Sequence, residues 1–138
     1  MELRFAHVAD FASVDSGGKL TIVGVFDIVW DGAGARPIPF PPFYLVAAIE
    51  ASIAEGADHE IEICLVDDDE VAQAGIIKGS IQLRSQGVGH AARGHLLIGF
   101  GPGVIQVPDL GDYYFQFRVD GKQLGAIRVS ALAPPAKA

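Results

Sequence analysis

The chain has 138 residues, half of them hydrophobic and 20% charged, which excludes a disordered chain and suffices for one domain with its own core. Its net charge is −7, and its ten basic residues are scattered singly, which argues against nucleic acid and against anionic membrane surfaces as partners. No apolar run approaches the roughly 18–20 residues of a membrane span. The single cysteine, Cys64, cannot close an internal disulfide, and the N-terminus lacks a basic region followed by an apolar one, so a cytoplasmic location is expected.

Leu3, Phe5, His7, Ala9 and Phe11 share one parity and open a first strand. Asp15-Ser16-Gly17-Gly18 is a turn cluster, after which Leu20 to Trp30 resumes as one long strand, apolar on both sides. Such a strand is expected to lie centrally in a sheet or at an interface. Asp31 to Pro42, with four prolines and two glycines, reads as an extended crossover between sheets. Phe43-Leu45-Ala47-Ile49 and Ile61-Ile63-Leu65 mark the next two strands. Between them, Glu50 to Ala57 is the one stretch with weak helical character.

Asp67-Asp68-Asp69-Glu70 is a tight acidic turn. A strand follows within Ala74 to Arg84, where Ile77, Gly79, Ile81 and Leu83 alternate with polar residues. Ser85 to Gly94 reads as a glycine-containing loop and His95 to Phe100 as a strand. After the break at Gly101-Pro102-Gly103, Val104 to Val107 either continues that strand or pairs separately. Tyr113, Phe115, Phe117 and Val119 then alternate up to Asp120-Gly121, a type I′ turn signal, and Leu124 to Val129 completes a hairpin.

About eight strands at this spacing imply an all-β antiparallel Greek-key sandwich of C2-like, jelly-roll or immunoglobulin-like arrangement. It spans residues 1–131, with 132–138 as a frayed tail. Asp109-x-Gly111-x-Tyr113-x-Phe115 resembles the tyrosine corner of immunoglobulin-like domains, with Phe115 where their cysteine sits. The acidic turn is the best place for an ion: Asp67, Asp68 and Asp69, supplemented by Asp109 and Asp112 if both loops lie at one end, would offer oxygens to calcium. The competing reading is a solvated turn in which aspartates cap their own backbone. No catalytic constellation stands out. His7, His59, His90 and His95 do not form a metal set, Cys64 reads as an inert small residue, and no cofactor motif is present. Trp30, Tyr114 and Arg118 are the residues best suited to a protein interface.

Leu3-Arg4-Phe5-Ala6, Gly18-Lys19-Leu20, Gly24-Val25-Phe26-Asp27 and Gly111-x-Tyr113-x-Phe115-x-Phe117-x-Val119-Asp120-Gly121 resemble, together, a family of small uncharacterised bacterial proteins. The resemblance implies a single-domain bacterial β-sandwich and supplies no site residues. The reading that follows is a non-catalytic module acting through protein partners, a second copy of itself among them. The alternative is a sandwich that binds calcium or a small ligand through its acidic end loops.

Overall fold

The period-two patterning is realised as strand almost throughout. A computed structural model describes residues 1–73, 77–85 and 91–135. Its strands are β1 (Glu2–Val14), β2 (Leu20–Phe26), β3 (Ile28–Trp30), β4 (Ile38–Pro39), β5 (Phe43–Ser52), β6 (Asp58–Asp67), β7 (Ile77–Gln82), β8 (Arg84–Ser85), β9 (Ala91–Phe100), β10 (Gln106–Val107), β11 (Gly111–Val119) and β12 (Lys122–Leu132). Four of these have only two or three residues, which leaves the eight long strands that the sequence predicts. The Glu50–Ala57 stretch contributes one 3₁₀ turn, Ile53–Glu55, and otherwise belongs to flanking strands and loop.

The first sheet has the order β2-β1-β5-β9-β8 and the second β3-β12-β11-β6-β7, with β10 and β4 pairing apart from both. Neighbours are antiparallel except β3, which runs parallel to β12. The sandwich of antiparallel sheets is therefore present. Phe43 opens β5 inside the core, stacked on Phe100 at 4.7 Å and packed against Phe40 at 5.8 Å and Phe115 at 6.0 Å. Phe117, Leu45, Ile49, Ile63 and Leu65 are buried in the same core. Asp120 and Gly121 both take positive φ, 50° and 82°, so the β11–β12 hairpin closes with the type I′ turn its sequence demands.

Several expectations are corrected. Leu20 to Trp30 is not one central strand. The chain changes sheets at Asp27, whose carbonyl accepts the Ser130 N–H at 2.8 Å, so that β2 ends the first sheet and β3 ends the second. The strand looks two-sided in sequence because one of its apolar faces is exposed rather than buried. In β1, the parity of Phe5, His7, Ala9 and Phe11 faces outward, whereas Ala6 and Val8 enter the core. A bulge between Leu3 and Phe5 moves Leu3 onto the core side. The Ser85–Gly94 loop is shorter than expected, since β9 begins at Ala91 and contains Gly94. Gln106–Val107 pairs separately, with Ile38–Pro39. Residues 74–76 of the expected strand, 86–90 of the loop and 136–138 of the tail lie outside the described residues.

Candidate functional site

The register Tyr113↔Asp67 brings both acidic segments to one end of the second sheet. Three of their carboxylates are engaged by donors of the protein itself. Asp67 Oδ1 accepts the N–H groups of Asp69 and Val71, each at 2.9 Å, and its Oδ2 accepts the Gln73 amide at 3.0 Å. Asp109 accepts the Leu110 N–H at 2.8 Å and the Arg36 guanidinium at 3.1 Å, and both donors hold its carboxyl below the ordinary 3.8. Asp112 accepts the hydroxyl of Ser130. Asp68 and Asp69 are exposed, and the proximity of Asp68 raises the Tyr114 phenol above its usual 10.0. Among the described residues no three His, Cys, Asp or Glu side chains converge in a metal-binding group. Asp67 and Asp109 thus cap their own turns, while Asp112 bonds across to the neighbouring strand.

The resemblance to a tyrosine corner holds in atomic detail. The buried Tyr113 donates its hydroxyl to the carbonyl of Asp109, four residues back, at 2.7 Å. Arg36 then bridges Asp109 to Asp31 at 2.7 Å, tying the sheet crossover to the corner. Tyr113→Phe leaves the Asp109 carbonyl without this donor and is expected to cost about 1 kcal/mol. A fall of several degrees in thermal midpoint checks it; an unchanged midpoint means that water replaces the phenol at no cost.

His59 is the perturbed histidine, and the sequence offered no sign of it. Its ring is buried, with Nδ1 2.6 Å from Asp120 Oδ2 and Nε2 2.9 Å from the Gly56 carbonyl. Two acceptors require two N–H donors, so the imidazolium form satisfies the site. The Asp120 hydrogen bond, followed by the Gly56 carbonyl, lifts its pKa above 6.5 despite burial. Asp120 also accepts the Glu60 N–H at 3.0 Å and is held below 3.8. The pair thus fastens the β11–β12 turn to the start of β6. Of the other histidines, His7 stacks on Phe5 at 5.7 Å, His95 is exposed on β9, and His90 lies outside the described residues. Cys64 is half-buried and bonded only weakly to the Leu65 carbonyl.

Trp30, Tyr114 and Arg118 all lie on the outward side of the second sheet, but strand separation keeps Trp30 apart from the other two. Trp30 is 51% exposed, Tyr114 half-buried and Arg118 exposed beside Glu62. A larger apolar surface lies on the first sheet. Phe11, Val23 and Val25, from the paired strands β1 and β2, are 47%, 53% and 58% exposed on one face. Phe11 meets Tyr44 edge-on at 5.6 Å, and that face continues through the fully buried Ala9 and Val46 to Leu97. Sequence reasoning had both strands but not the sign of the face. An apolar residue turned toward water has the same alternation as one turned toward a core.

A family model described as a family of unknown function (DUF6941) matches residues 4–131. The chain belongs to that family. The match spans both sheets from β1 to the end of β12, so the sandwich as a whole is the family's unit. No curated protein matches the chain. Among the described residues no helix is long and apolar enough to cross a membrane.

Proposed function

We propose that this member of the family is a non-catalytic module that works through protein contacts and self-associates through the outward face of its first sheet. The carrying observation is the cluster of Phe11, Val23 and Val25, each about half exposed on adjacent strands at the end of that sheet. Isolated exposed apolar residues need no explanation, but a contiguous aromatic and aliphatic patch is a docking surface. The face suits a second copy because it lacks acidic residues over its central span, from Phe5 to Phe11 on β1 and Tyr44 to Ala48 on β5. Two chains of charge −7 can meet there without opposing carboxylates. Sheets stacked face to face about a two-fold axis, about 10 Å apart, are the matching geometry. The non-catalytic reading is supported by where the perturbed groups sit: His59, Asp120 and Asp109 each fasten a turn.

Sedimentation velocity across a concentration series tests this. The unaltered chain is expected to dimerise, and Val23→Lys to weaken the dimer by at least about ten-fold, since it desolvates a charge in an apolar contact. Val23 is already exposed, so the thermal midpoint of the dilute variant should hardly move. A strict monomer at high concentration, or an unaffected dimer in Val23→Lys, defeats the reading.

A further inference from the structure

The β2–β3 ribbon is joined through Asp27 alone, and its two halves end different sheets. Along the side turned away from β1 and β12, the ribbon therefore carries backbone N–H and C=O groups without a strand partner among the described residues. A cleft of about 520 Å³ lies against it, lined by Gly24–Phe26, by Ile28–Trp30, by Pro39 and Pro41, and by Asp10. That volume lies within the range of ligand sites, about 300–1,000 Å³. Asp10 is the one charged residue of the lining, and no ion pair among the described residues includes it. Its carboxylate lies over Gly24, whose φ is +70°; a Cβ at that position would collide with it. Gly24 thus leaves the room that Asp10 occupies.

We propose that this cleft binds an extended peptide segment bearing an arginine or lysine. The cationic group meets Asp10, the aliphatic stem lies along the apolar lining that includes Trp30, and the peptide backbone pairs with the free edge of the ribbon. Each part follows from a requirement of the site. An apolar ligand would strip water from the Asp10 carboxylate and give nothing back, whereas a cation compensates it. An anion meets no basic residue in the lining. Unpaired strand-edge groups are satisfied in register by another extended backbone, the mode of strand addition in which main-chain bonds supply affinity and side-chain sites supply specificity. An exposed indole adds a cation–π surface for arginine. This site adjoins the self-association face and shares Val25 with it, but Phe11 and Val23 do not line the cleft.

Trp30 is the chain's only tryptophan, so its emission reports directly on the cleft. The probe is the blocked pentapeptide acetyl-Val-Val-Arg-Val-Pro-amide, with its glutamate-for-arginine counterpart and N-acetyl-argininamide as comparisons. A saturable emission change with the arginine peptide is expected. The affinity should fall about ten-fold or more for the glutamate peptide, for N-acetyl-argininamide and for Asp10→Asn. Urea midpoints establish that Asp10→Asn is folded, and Val23→Lys, whose altered residue lies outside the lining, should still bind the peptide. No saturable change up to millimolar peptide overturns the proposal, as does equal binding by folded Asp10→Asn. Equal affinity for N-acetyl-argininamide overturns the strand pairing, because a bare cation would then account for all of the binding.

Discussion

Phe43→Ala is expected to lower the stability of this sandwich by about 3–5 kcal/mol, the largest effect of any single truncation considered for this chain. Phe43 is 1% exposed and sits where both sheets and the crossover meet, against Phe100, Phe40 and Phe115. Deleting its ring removes the transfer free energy of a large apolar group. It also leaves a void that three neighbouring aromatic rings, fixed on separate strands and a strap, cannot collapse to fill. Set against a typical domain stability of about 5–15 kcal/mol, the loss is at least about a fifth of the total, or on the order of 10–20 °C in thermal midpoint. Phe43→Leu separates the two contributions. It retains most of the buried volume, and a cost below about 1.5 kcal/mol is expected if cavity formation dominates. A leucine variant as unstable as the alanine variant would show that ring–ring packing, rather than filled volume, holds the centre.

The second large effect depends on pH. Folding raises the pKa of His59 above 6.5, so the stability it contributes is fully present below 6.5 and is lost as pH rises through the folded value. Folding lowers the pKa of Asp120 below 3.8, so its contribution is present above 3.8 and is lost as pH falls through the folded value. The pair therefore works best between those two ordinary values. His59→Ala removes both ring hydrogen bonds, leaving the Gly56 carbonyl and the Asp120 carboxylate without their donors. A loss of about 1–3 kcal/mol is expected near pH 5.5, by the cost of a broken buried hydrogen bond to a charged group. The difference between the two chains should narrow as pH rises through the folded pKa of His59, where the unaltered chain discharges its own imidazolium. Urea midpoints at a series of pH values measure it. A difference that widens with pH would mean that His59 is neutral in the folded chain.

The class of fold was legible because strand periodicity and turn chemistry are local. Tyr113 to Val119 alternate, Asp120-Gly121 takes the two positive φ values of its turn, and the Tyr113 hydroxyl returns to Asp109. Each relation falls within a few residues of chain. The acidic turn was also half legible. Its position was clear from composition, but whether four acidic side chains pool toward an ion or cap their own backbone depends on where each oxygen points. Here Asp67 caps its own turn and Asp109 turns to Arg36, 73 residues away.

Pairings between distant residues were not legible at all. Nothing local distinguishes His59 from any other histidine, since its partner Asp120 is 61 residues further along. Likewise, the apolar alternation of β2 is the same whether Val23 and Val25 face a core or water.

By itself, the order of amino acids determined that this chain is strands and turns with apolar faces to bury, because backbone conformation answers to near neighbours. The tertiary structure alone decided which of those faces is buried, where the ribbon changes sheets at Asp27, and which carboxylates meet a cation. Those outcomes depend on which segments become neighbours in space, and burial and charge pairing act only across that distance.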